Sequence, residues 1–171
     1  MDTKILDFNQ NLDHLISLDI FDQYDELVFI TDHNILQIYS CVLNFIKIGF
    51  SNIGKKIFIY SFLAGEKSKN IEIKTKIENF MFTNNISRSK SCLLALGGGV
   101  VGDISGFVAS TYKRGIDFIQ IPTTVISMVD SSIGGKNGIN NQYGKNLVGT
   151  FYQPKYILIF YNFLESLPES E

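Results

Sequence analysis

Gly97, Gly99 and Gly102 fall at the spacing G-x-G-x-x-G, directly after the apolar run Cys92–Leu96 and ahead of a second apolar stretch. Glycine has no Cβ, so backbone N–H groups at such a turn can approach an anion closely, and a helix starting there adds its positive end. The same spacing also serves tight packing of a helix on a strand, and both uses stay open for this turn. Between Leu96 and Pro154, isolated polar residues punctuate glycine-rich and apolar sequence: Asp103, Arg114, Asp130, Lys136, Lys145 and Asn146. Lys136 and Lys145 each follow a glycine, and together with Arg114 they suit a ligand carrying phosphate or carboxylate. The plainer alternative is that both lysines are simply solvated in polar loops.

Two features depart from a regular dinucleotide fingerprint. An acidic residue roughly 20 positions after the glycine turn should meet a ribose, and only Asp117 stands there. Asp103 puts a carboxylate beside the phosphate cradle, where it repels an anion unless it binds a hydroxyl or amide instead. Asp130 serves either as a ligand group or as the cap of a turn beginning at Ser131 and Ser132. His14 and His33 are too far apart, and too unsupported by other donors, to be nominated as a metal pair.

These residues need a scaffold, and the apolar pattern supplies one. Leu27–Thr31, Lys56–Ser61, Cys92–Leu96, Phe118–Ile121 and Lys155–Phe160 read as strands. After the first, Asp32 or Asn34 can cap a helix whose stripe Ile35, Ile38, Tyr39, Val42 and Ile46 is stopped by Gly49. A second helix is built on Ile73, Ile77, Phe80 and Met81, with Glu72 and Lys76 four apart on its outer side. A third segment, Asp103–Ser110, is small and apolar, and Thr123 or Thr124 can cap the segment after Pro122. Near-continuous apolar strands alternating with helices predict a doubly wound α/β domain with a mostly parallel sheet and helices on both faces. In such sheets ligands lie off the carboxyl ends of the strands, where Asp32, Gly65-Glu66, Gly97–Gly99 and Thr123-Thr124 all fall.

Composition narrows the class. Of 171 residues, 45% are hydrophobic and 19% charged, which predicts a packed core. A net charge of −2 and a pI near 5.7 give no general affinity for nucleic acid or anionic membranes. No stretch approaches the roughly 18 apolar residues of a membrane span, and the amino-terminal sequence lacks the pattern of a secretory signal, so a cytoplasmic location is expected. Cys41 and Cys92 have neither metal-ligand nor disulfide-framework spacing and read as buried free thiols.

The run from Ala64 to Pro168 resembles 3-dehydroquinate synthase, a family of sugar-phosphate cyclases. The resemblance rests on GEKSK at Gly65–Lys69, LGGGVVGDISGF at Leu96–Phe107, RG at Arg114-Gly115, PTT at Pro122–Thr124, VDSSIGGKNGIN at Val129–Asn140, GKNLVGTFYQP at Gly144–Pro154 and LP at Leu167-Pro168. It implies a Rossmann-like NAD-binding domain. Asp32, Asn34, Glu66 and Lys69 would meet the adenosine ribose end. Gly98, Gly99, Val100, Gly102 and Asp103 would face the pyrophosphate and nicotinamide side with Thr123 and Thr124. The ribose carboxylates then precede the glycine turn in sequence. Substrate contacts would fall on Arg114, Asp130, Lys136, Lys145 and Asn146, with Lys136 and Lys145 also near the cofactor, while Phe163 and Ser166 match a weaker nucleotide-contacting segment.

The reaction this resemblance implies converts 3-deoxy-D-arabino-heptulosonate 7-phosphate to 3-dehydroquinate and phosphate in the shikimate pathway. In it, NAD oxidises a ring alcohol, phosphate is eliminated, the carbonyl is reduced again and the sugar closes by an aldol step. The family's metal ligands, one Glu and two His, lie in a helical second domain beyond the end of this sequence. Zinc or cobalt is therefore expected only with that domain, and no residue here is assigned to metal. The implied division is an NAD-binding domain over residues 1–160 and the start of the second domain over 161–171. The implied context is an inactive half awaiting its carboxyl-terminal partner, homodimeric by family trait. Ser170 stands where the family usually shows Arg, Phe160 stands where Asp is common, and the apolar residues Phe160, Tyr161, Phe163 and Leu164 are expected to lack cover. Other readings are a non-catalytic or decayed nucleotide-binding remnant, another sugar-phosphate cyclase, or an iron-type alcohol dehydrogenase with a similar glycine turn.

Overall fold

A computed structural model of the chain describes residues 3–167. In chain order the main elements are β1 (Lys4–Phe8), β2 (Glu26–Asp32), α1 (His33–Ile38), α2 (Ser40–Asn52), β3 (Lys56–Phe62), α3 (Ile71–Thr83), β4 (Ser91–Gly97), α4 (Gly99–Thr111), β5 (Asp117–Pro122), β6 (Lys136–Asn141), β7 (Gly144–Phe151) and β8 (Tyr156–Phe160). Six strands form one sheet in the order β1-β8-β5-β4-β2-β3, every pairing parallel, while β6 and β7 form a separate antiparallel hairpin.

Successive strand residues point to opposite faces, and both faces are covered. Leu27 and Phe29 pack with Leu43, Ile46 and Phe50 of α2 and with the amino-terminal segment around Leu12, Leu15 and Phe21. Val28 and Ile30 pack on the other side with Ile77 and Met81 of α3 and Val101, Ile104 and Val108 of α4. Burial on two faces is why these strands read as unbroken apolar runs. The helices after β2 and β4 thus leave the sheet on opposite sides, which opens a crevice between the carboxyl ends of these neighbouring strands. No helix among the described residues is long and apolar enough to cross a membrane.

Several expectations need correction. The single helix from Ile35 is two, separated at Tyr39 (φ −105°, ψ 20°). Gly49 lies inside α2 against Ile16 and does not end it; the turn is made at Gly54, whose φ of 82° suits glycine. The segments carrying Lys136, Lys145 and Asn146 are the hairpin rather than loops. β1, not anticipated at all, is an edge strand whose residues Lys4, Ile5 and Asp7 are exposed. Cys92 is buried but Cys41 is exposed, on the outer side of α2. Phe160 and Phe163 are fully covered, Phe8 stacking on Phe160 and Tyr39 meeting Phe163 edge to face; only Tyr161 and Leu164 show substantial surface. Pro168 and Ser170 lie outside the described residues.

Candidate functional site

Off the carboxyl ends of the strands lies a cleft of about 1270 Å³. Each wall comes from a strand end. After β2, Asp32 and Asn34 contribute, and Asp32 also caps α1 by accepting from the Ile35 N–H at 3.0 Å. After β3 come Gly65, Glu66 and Lys69. After β4 come Gly98, Gly99, Val100 and Asp103 on the first turns of α4, and after β5 come Thr123 and Thr124. Asn146 enters from the hairpin and Ser166 from the segment after β8.

The glycine turn keeps this space open. A Cβ on Gly99 would stand 3.0 Å from Ser131 Oγ, and one on Gly98 would stand 3.2 Å from Thr124 Cγ2. Gly98 occupies the cap position of α4, so the free N–H groups of a 13-residue helix face the cleft. A glycine-lined helix start with carboxylates across from it suits a dinucleotide: the diphosphate meets N–H donors, and Asp32 and Glu66 are left to accept from ribose hydroxyls.

The position of Asp103 settles the repulsion its carboxylate would otherwise cause. Lys69 Nζ bonds the Asp103 carboxylate and, at 2.5 Å, Asn146 Oδ1. Side-chain exposure is 6% for Lys69 and 16% for Asp103, so the pair is largely out of water. Burial pushes the Asp103 pKa above the ordinary carboxylate value against the pull of Lys69, with Glu66 adding to the rise. The cleft therefore presents a neutralised pair beside the glycine turn, not a bare anion.

Other residues singled out by sequence lie elsewhere. Gly102 is buried within α4, where a Cβ would meet Gln120 Oε1 at 2.7 Å. Phe163 is buried in the core. Asp130 is exposed on a π-helical turn, Ser127–Ser131, and Lys136 and Lys145 are exposed on the hairpin. Arg114 follows the far end of α4, at φ 70°, near the amino-terminal end of the sheet. The fold thus gathers the strand-end residues but leaves Arg114 at the opposite end of the strands.

Two neighbours of these residues were not assigned to a site by sequence. Ser131 lines the cleft, and its buried Oγ has no hydrogen-bond partner among the described residues. Asn140 bonds Glu66 Oε1 at 2.6 Å. Both lie in the VDSSIGGKNGIN run, and membership in it is the one signal the sequence offers. No group of three or more His, Cys, Asp or Glu side chains that could hold a metal ion occurs among the described residues.

Comparison with known proteins agrees with the fold. The family model described as 3-dehydroquinate synthase N-terminal matches residues 59–171. A 3-dehydroquinate synthase of Streptococcus thermophilus (strain CNRZ 1066) is 45% identical over 146 residues, covering 85% of this chain and 40% of that protein. Among solved structures, a 2-deoxy-scyllo-inosose synthase complexed with carbaglucose-6-phosphate, NAD+ and Co2+ superposes with a TM-score of 0.83 at 26% identity, over 96% of this chain and 44% of that one. The 2-epi-5-epi-valiolone synthase ValA of Streptomyces hygroscopicus subsp. jinggangensis, with NAD+ and Zn2+ bound, gives 0.84 at 26% identity, over 98% and 45%. The chain spans about 40% of the length of the curated relative it matches.

Proposed function

The chain belongs to the 3-dehydroquinate synthase N-terminal family, and on that premise we propose that it is the NAD-binding part of an enzyme converting 3-deoxy-D-arabino-heptulosonate 7-phosphate to 3-dehydroquinate and phosphate. The observation that carries this reading is the convergence of Asp32, Glu66, Lys69, the Gly98–Val100 turn, Asp103, Thr123 and Thr124 on one cleft at the crevice between β2 and β4.

In this reading the α4 start holds the diphosphate, Asp32 and Glu66 accept from ribose hydroxyls, and Asn34 and Lys69 complete that end. Bound NAD supplies a reversible hydride acceptor. Lys136, Lys145, Asp130 and Asn146 serve the sugar phosphate, the lysines by matching its charge. Arg114, at the amino-terminal end of the sheet, is assigned to the substrate by resemblance. The metal of the relatives finds no donor set among the described residues, so no step is assigned to one, and turnover is assigned to the complete two-part site.

Titration of NAD into the purified chain, followed calorimetrically, tests the reading. Saturable binding with one site is expected, with NADP much weaker because carboxylates at the ribose repel a 2′-phosphate. A folded chain that binds neither would overturn it.

A further inference from the structure

The hairpin is irregular at one place. Ile139 pairs with Val148 and Asn141 with Gly144, so Asn140 alone stands opposite Lys145, Asn146 and Leu147. β7 carries the extra residues there, and Asn146 adopts φ 56°. A bulge of this kind re-aims side chains and frees backbone groups from the ladder. Here Asn140 takes up the freed groups. Its Oδ1 accepts from the Asn146 N–H at 2.8 Å, its Nδ2 donates to Glu66 Oε1 at 2.6 Å, and its own N–H donates to the Lys69 carbonyl at 2.8 Å.

We propose that Asn140 is a positioning residue that couples the two ends of the cleft, fixing the Glu66 carboxylate for a ribose hydroxyl and the left-handed Asn146 for its contact with Lys69. The inference rests on the reading that NAD occupies this cleft. An amide suits the task because it offers a donor and an acceptor at once. A carboxylate would keep the acceptor for Asn146 but set a second negative charge against Glu66, and alanine would lose both contacts.

The test joins two measurements on the full chain. Asn140→Ala should weaken NAD about tenfold, the worth of one hydrogen bond to a charged group. In the absence of NAD it should speed hydrogen exchange at the Asn146 amide severalfold, because that N–H loses its acceptor. Asn140→Asp should weaken NAD further, and combining it with Glu66→Gln should recover part of the loss by exchanging which partner donates. A merely structural role would not produce that reciprocal recovery. Wild-type NAD affinity in Asn140→Ala overturns the proposal, as does a combined variant no better than Asn140→Asp. If the unaltered chain binds no NAD, the functional reading fails by itself, and unchanged Asn146 exchange in Asn140→Ala then overturns the positioning role independently.

Discussion

Asn137 Oδ1 occupies the space beside Gly106: a Cβ built on that glycine would lie 1.9 Å from it. The amide has little freedom to retreat, since its Nδ2 donates to the Gly135 carbonyl at 2.7 Å and the Tyr152 carbonyl at 2.8 Å. This contact seats the hairpin on α4 and so sets where Asn146 reaches the cleft and Asn140 reaches Glu66. Gly106→Ala should destabilise the chain by about 2 kcal/mol, as overpacking in a buried contact does. Urea unfolding measures it, and an unchanged midpoint would show that the hairpin shifts freely on the helix.

Lys69 and Asp103 should behave as a pair. Lys69→Met leaves a buried carboxylate without its cation, at a cost of about 3 kcal/mol. Asp103→Asn added to Lys69→Met should restore much of the lost stability, because no unpaired charge then remains. A double-mutant cycle in urea checks this; simple additivity of the two changes would mean that the charges do not interact.

Gly99→Ala should leave the unfolding midpoint nearly unchanged, because Gly99 lies on the first turn of a helix and its new methyl group meets only the Ser131 side chain, which can turn aside. NAD affinity should nevertheless fall at least about tenfold as the methyl group fills the diphosphate approach. Parallel calorimetry and thermal melts separate the two effects, and undiminished binding would remove the glycine turn from the site.

Alkaline stability should depend on Tyr24. This tyrosine is buried and donates to Asp117 Oδ2 at 2.8 Å. Burial first, then the nearby Cys92 and Asp117, raises its pKa far above the ordinary tyrosine value. The folded chain keeps a proton that the unfolded chain releases, so the stabilisation is complete below about pH 10 and is lost as pH rises beyond it. Tyr24→Phe should cost about 1 kcal/mol at neutral pH through the lost hydrogen bond and should flatten the decline above about pH 10. A decline as steep as that of the unaltered chain would assign the alkaline loss to another group.

The sequence made the inner strands and their ends visible because burial on both faces leaves unbroken apolar runs, and because ligand groups come directly after those runs. The hairpin escaped notice for the opposite physical reason. Leu147 and Phe151 of β7 are exposed, so neither strand alternates as a half-buried strand does, and the turn is made by Asn141 accepting from the Tyr143 and Gly144 N–H groups. The break at Tyr39 contains no glycine or proline, and the apolar stripe runs straight through it. The bond between Asn140 and Glu66 joins positions 74 apart and depends on the bulge, so neither residue type nor spacing reveals it.

The placement of β1 carries a consequence for the order in which the chain can assemble during synthesis. Its pairing partner in the sheet is β8, with Lys4 opposite Tyr156 and Phe8 opposite Phe160. β1 therefore waits for β8, far later in the sequence, before its backbone groups can join the ladder. Until then β2 to β5 can associate around α2, α3 and α4, while Leu6 and Phe8 have no completed surface to pack on. The docking of β1 closes the loop that runs from Phe8 to Tyr156, the slowest kind of contact to form. A nascent chain stalled before Tyr156 should hold a protected central sheet and leave β1 open to proteases and to chaperones.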